Sequence, residues 1–231
     1  VKYLVRVTKQ GIIKRISLNA YNTARKGGLI ALELNEGDEL AWVRLTAGNQ
    51  QVIVATKNGL AIRFEETDVR PMGRQARGVK AISLREGDCV VGMCVVANDD
   101  LILTASETGF GRISNVSDYR LQSRGGKGIT NYHTETYGNV AAVSAVKLDE
   151  DIIIISQEGV IIRIAADTVR ICNRPSKGVT LMRIGENDKV VTVARAPHED
   201  SESEKTEETA EEETSEENTA PETNAEENTE E

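Results

Sequence analysis

Few residues in this sequence are of the kinds that usually perform catalysis. It has two histidines, three cysteines and 3% aromatic residues. Cys89, Cys94 and Cys172 are odd in number, stand among apolar neighbours and form no C-x-x-C pair. They are read as core residues, with no disulfide framework and no metal site expected. No apolar run approaches the ~20 residues needed to cross a bilayer. The opening Val1-Lys2-Tyr3-Leu4-Val5-Arg6 carries no signal-peptide pattern. A cytoplasmic chain without a membrane partner is therefore expected. A G-x-x-x-x-G-K-(S/T) phosphate loop is missing too. His198 stands at the end of the last apolar segment and His133, in Asn131-Tyr132-His133-Thr134, reads as a loop or strand residue, so no catalytic residue is assigned. The chain opens inside a strand-like run without Met, as a piece of a longer protein would.

Charge is divided unevenly. The formal net charge is -9, but residues 199–231 hold 16 acidic residues and one Lys, which leaves the preceding part at +6. A basic body followed by an acidic tail points toward nucleic acid. The tail is poor in apolar residues and is expected to be disordered. It could act as a DNA mimic over a basic surface, or merely aid solubility.

Self-similarity is the strongest signal present. Gly28, Gly78, Gly128 and Gly178 are spaced by 50 residues, and Gly11, Gly59, Gly109 and Gly159 by 48, 50 and 50. Four repeats follow, at about 1–49, 50–100, 101–150 and 151–198. Each opens with two apolar runs around a Gly-ended turn, as in Val52-Ile53-Val54-Ala55, Lys57-Asn58-Gly59 and Leu60-Ala61-Ile62-Arg63-Phe64. Such a turn accepts the positive φ of a tight hairpin. A third run follows the 50-spaced Gly (Val79-Lys80-Ala81-Ile82-Ser83-Leu84), and a fourth follows an acidic turn such as Glu186-Asn187-Asp188. The acidic turns recur at Glu36/Asp38 and Glu86/Asp88, which suits turn geometry better than a single acid–base pair. Four strands per ~50 residues is the cadence of a propeller blade. The expected fold is all-β, with blades stacked because one sheet cannot cover its own apolar faces.

The basic residues are periodic as well. Four and one positions before the 50-spaced Gly stand Arg74 and Arg77, Arg124 and Lys127, and Arg174 and Lys177, while the first repeat shifts them to Arg25 and Lys26. A second set follows the hairpin Gly by three or four positions: Lys14 and Arg15, Arg63, Arg112 and Arg163. Both sets are candidates for phosphate contact, which provides affinity through counterion release without reading bases. The alternative is an ordinary solvated surface. If the first eight each met one phosphate, log K would fall with log salt at a slope of about -7. The aromatics (Tyr3, Tyr21, Trp42, Phe64, Phe110, Tyr119, Tyr132 and Tyr137) offer no recurring platform for single-stranded bases, so duplex is the expected partner.

Gln122-Ser123-Arg124-Gly125-Gly126-Lys127-Gly128 resembles the seven-residue box Q-R-R-G-G-(K/R)-G of gyrase A, the cleaving half of DNA gyrase, with Ser123 replacing the first Arg. Residues 1–198, with their 50-residue repeats and following acidic tail, resemble the C-terminal β-pinwheel of gyrase A. The resemblance implies six blades, of which these look like the last four, with the true box upstream of Val1. It further implies duplex DNA wrapped on a basic outer rim, so that the whole enzyme introduces negative supercoils at the expense of ATP. The partners implied are the rest of gyrase A, as a dimer, and gyrase B, in an A2B2 complex of the bacterial cytoplasm at the nucleoid. The ATP and Mg2+ belong to that holoenzyme, and no cofactor is assigned to this chain. The C-terminal domain of the corresponding topoisomerase IV polypeptide is a second resemblance, and a protein-interaction propeller is the non-DNA alternative.

Overall fold

Side chains alternate between the two faces of a strand, and in this chain that alternation decides how the repeats stack. The structure, a computed structural model, describes residues 2–22 and 27–198. Arg25, Lys26 and the acidic tail 199–231 lie outside the described residues. Each repeat opens with an antiparallel hairpin: β1 (Tyr3–Thr8) with β2 (Ile12–Ser17), β4 (Gln51–Thr56) with β5 (Leu60–Glu65), β8 (Leu101–Ser106) with β9 (Phe110–Asn115), and β12 (Glu150–Ser156) with β13 (Ile161–Ala165). On the first strand of each pair lies the fourth run of the same repeat, namely β3 (Leu40–Thr46), β7 (Val90–Val96), β11 (Val140–Val146) and β15 (Val190–Pro197). These pack against one another and form the inner edge of the arc of blades. A short helix, α1 (Thr134–Tyr137), interrupts the third repeat, with His133 exposed at its start.

The third run departs from the simplest reading of the repeat. It contributes only two residues of strand, β6 (Val79–Lys80), β10 (Ile129–Thr130) and β14 (Val179–Thr180), and each pairs with the hairpin of the preceding repeat. The sheet orders are β3-β1-β2-β6, β10-β5-β4-β7, β11-β8-β9-β14 and β13-β12-β15. Every outer strand thus crosses a joint, and the chain is laced from blade to blade. Among the described residues the last sheet has three strands, and the segment after Gly28 forms no strand.

The cores lie between blades. On β4, Val52 and Val54 enter a cluster with Val5, Val7 and Ile13 of the first repeat, while Ile53 and Ala55 enter the next with Ile102 and Tyr132 of the third. Leu103 and Ala105 on β8 face the third core with Ile152 and Ile154 of β12. One sheet therefore feeds two cores, and no blade has a core of its own.

The recurring acidic turns hold the hairpins. The Asp38 carboxylate accepts from the Gln10 amide at 3.0 Å, Asp88 from Asn58 at 2.9 Å and Asp188 from Glu158 at 3.0 Å. Each also accepts from the amide of its own next residue at 2.8 Å. Hydrogen bonds from Ser156 and from the Glu158, Lys189 and Gln157 amides hold the Asp188 carboxyl below its ordinary value. The third repeat has Gly138 at this position, and there the Thr108 hydroxyl donates to the Tyr137 carbonyl at 2.6 Å. The Cys94 thiol is buried in the second core and pushed up to about 11 by that burial, which keeps it protonated and inert.

Candidate nucleic-acid interface

Placing an Arg at a strand position of a stacked blade tends to bury it, and the structure corrects the second set of candidates accordingly. Arg15, Arg63 and Arg112 are buried. Arg63 donates to the carbonyls of Val116 and Tyr119 at 3.0 Å each and to the side chains of Gln51 and Asn98, tying blade two to blade three. Arg15 pairs with buried Glu66 at 3.4 Å and lies over the Tyr3 ring. Arg112 points to the opposite face of its strand, donates to the Asn131 carbonyl and lies 5.6 Å from the Tyr132 ring centroid. Lys14, on the same face as Arg112, donates to the Arg74 carbonyl. Burial pushes the pKa values of Lys14, Arg63 and Arg112 down. Buried in this way, these side chains fasten joints and are not presented on the surface. Arg163 is exposed because β13 carries no outer strand, and its guanidinium pairs with Asp151 at 2.7 Å and donates to the Pro197 carbonyl at 2.6 Å.

The first set separates into two roles. Arg124 donates to the carbonyls of Asp68 at 3.0 Å and Lys80 at 3.2 Å. Arg174 does the same one repeat later, to Asp118 at 2.9 Å and to Thr130, and lies 5.1 Å from the Tyr119 ring centroid. Both clamp a rim loop onto the preceding repeat. Arg74 is half-buried at the corresponding place. The residues just before the 50-spaced Gly behave differently: Arg77, Lys127 and Lys177 are exposed. Arg77 meets Glu33 at 3.0 Å with both side chains more than half exposed, a pair of little energetic weight. Lys177 sits 3.6 Å from the Phe110 ring centroid.

The box-like run is a splice between repeats. The Gln122 amide donates to the Arg63 carbonyl at 2.8 Å, the Gly125 amide to Ala81 at 2.6 Å, and the Ser83 amide to the Gly126 carbonyl at 2.8 Å. Ser123 and Lys127 remain exposed, and Gly128 has φ of 77° against the Ala61 carbonyl.

A third basic row escaped the sequence reading. Arg70, Arg120 and Arg170 are all exposed, each one residue past the short 3-10 turn and its following Val or Tyr. They recur at the same 50-residue spacing, eight positions before the Gly. The period carries the signal that finds them. Together the outer loops present Arg70 and Arg77, Arg120 and Lys127, and Arg170 and Lys177, two exposed cations per joint. No group of His, Cys, Asp and Glu able to hold a metal ion occurs among the described residues.

Known proteins match this architecture blade by blade. The family described as DNA gyrase C-terminal domain, beta-propeller, matches residues 2–47, 50–96, 100–147 and 150–197. The DNA gyrase A polypeptide of Halalkalibacterium halodurans is 59% identical over 78 residues, 34% of this chain and 9% of that protein. That of Clostridium acetobutylicum is 55% identical over 78 residues, again 34% of the chain and 9% of the relative. Among solved structures, a C-terminal domain of DNA topoisomerase IV superposes with a TM-score of 0.81 at 25% identity, covering 92% of this chain and 67% of that one. A DNA gyrase A C-terminal domain does so with 0.74 at 29%, covering 84% and 65%. With all four repeats matched, the chain belongs to the DNA gyrase C-terminal domain family of β-propellers.

Proposed function

We propose that the chain binds duplex DNA along its outer rim and wraps it, as part of a longer type II topoisomerase polypeptide. The observation that supports this most is the pair of exposed cations repeated at each closed joint: Arg70 and Arg77, Arg120 and Lys127, Arg170 and Lys177. Equivalent positions of stacked repeats follow the arc, so the six charges form a track. Phosphate contact from such a track is indifferent to base sequence. Bending the duplex to follow it costs of order 1–6 kcal/mol by smooth elastic estimates, which several contacts together offset.

The wider assignment is negative supercoiling driven by ATP, in a bacterial gyrase where this domain belongs to a gyrase A dimer joined to gyrase B in an A2B2 complex. ATP and Mg2+ are used elsewhere in that assembly. The likeness to the topoisomerase IV domain favours a second reading, a rim that binds DNA without wrapping it strongly.

The test is a salt series of duplex-binding isotherms. Six phosphate contacts predict a slope of log K against log salt of about -5. A slope near zero, or no binding by folded protein, would contradict the rim assignment and leave the interaction-platform reading.

A further inference from the structure

Apolar side chains left in water mark either an unfinished surface or a working one. Among the described residues, most of the exposed large hydrophobics belong to the ends of the arc. Ile30, Leu34, Leu40, Val43 and Leu45 lie in the first repeat, and Val160, Ile161 and Val191 in the last blade. At closed joints two remain on the rim, Leu121 at 49% and Ile171 at 44% exposure, with Leu148 in a turn beyond β11. Leu121 and Ile171 are equivalents at the 50-residue spacing, and Pro71, also exposed, is their counterpart in the repeat before. Each directly follows a rim arginine: Arg70-Pro71, Arg120-Leu121 and Arg170-Ile171.

Their backbones are firmly held. Pro71, Leu121 and Ile171 form parallel bridges to Arg15, Arg63 and Ile113 of the preceding blade. The next residue's amide donates to that strand at 2.9 Å from Met72, 2.8 Å from Gln122 and 2.8 Å from Cys172. None of the three side chains belongs to a core cluster. A rigid backbone thus presents an apolar group outward, beside a cation, once per joint.

From this we infer that Pro71, Leu121 and Ile171 are wedges that enter the DNA minor groove beside Arg70, Arg120 and Arg170 and kink the duplex at blade-spaced points. An Arg with a neighbouring Pro, Leu or Ile is the combination by which minor-groove binders partly unstack a base step and bend DNA. Pyrimidine–purine steps such as TA unstack most readily, so a rim with wedges prefers them even without hydrogen bonds to bases. The inference rests on the rim-binding reading and goes beyond it, because a track of phosphate contacts alone bends the duplex smoothly and has no side chain whose truncation removes a step preference.

The experiment compares the full chain with its Leu121→Ala/Ile171→Ala variant. Two duplexes of equal length serve as probes, one carrying TA steps and one with none, each with a donor and an acceptor dye at its ends. The wild type is expected to bend the TA duplex and prefer it at least threefold. The variant, with an unchanged melting temperature, is expected to keep the salt slope while losing the preference and at least half of the energy-transfer change. Equal bending and preference in variant and wild type would overturn the wedges and leave rim binding intact. Wild-type binding with no step preference would do the same. Failure of the wild type to bind either duplex would overturn both readings, and the isotherm alone shows which has failed.

Discussion

Gly178→Ala is expected to unfold the third joint. Gly178 has φ of 82°, a conformation that costs an L-residue about 1–2 kcal/mol. A methyl group there would also overlap the Gly111 carbonyl oxygen on β9 and crowd the Arg112 side chain, which is fixed by burial. Overpacking against backbone adds about 1–3 kcal/mol. Gly159 provides the control, since its φ is 84° and nothing lies within 4 Å of the position a Cβ would take. Gly159→Ala should therefore cost only the backbone component. Thermal or urea denaturation of the two variants checks this, with each kcal/mol worth about 2–4 °C for a domain of this size. Equal losses would mean that the laced strand does not seat against Gly111 as described.

The second large effect is a separation of binding from stability. Changing Arg77, Lys127 and Lys177 together to Ala should flatten the salt slope by about 3 units, while stability moves little because all three are exposed. Lys177 is the exception, giving up its place over Phe110 at about 0.5–1 kcal/mol. Arg63→Ala should behave in the opposite way. It strands the Tyr119 carbonyl, at about 1–3 kcal/mol for a buried acceptor left unpaired, while the Val116 carbonyl keeps the Tyr119 amide, and it leaves the salt slope of the surviving folded protein unchanged. Paired isotherms and melts read both outcomes. A slope change in Arg63→Ala without loss of stability would restore that residue to the DNA path.

Much of this architecture is legible in the sequence, because the 50-spaced glycines and the Gly-ended hairpins are local signals. The lacing is not. Val79 and Lys80 read as strand, but nothing local says that their partners, Ile13 and Ile12, lie in the repeat before. The burial of Arg15, Arg63 and Arg112 is hidden for a related reason. An Arg on a strand reads as a solvent-facing position, and only the stacking of a second blade shows that both faces are covered. Arg124 and Arg174 read as free cations, whereas their carbonyl partners lie 44 and 56 residues away in sequence. Arg70, Arg120 and Arg170 recur at the same period as Arg77, Lys127 and Lys177, eight positions before the glycine, so the sequence carries their signal as well.

The wrapping claim is tested most directly by ligating a nicked circular duplex in the presence of the folded chain across a salt series, and then counting the linking number after the protein is removed. Wrapping on the rim predicts a shift of one sign that grows with protein, fades as salt displaces the phosphate contacts, and is reduced in the Arg77/Lys127/Lys177 triple variant. Tight, salt-sensitive binding that leaves the linking number at that of the protein-free control would contradict it.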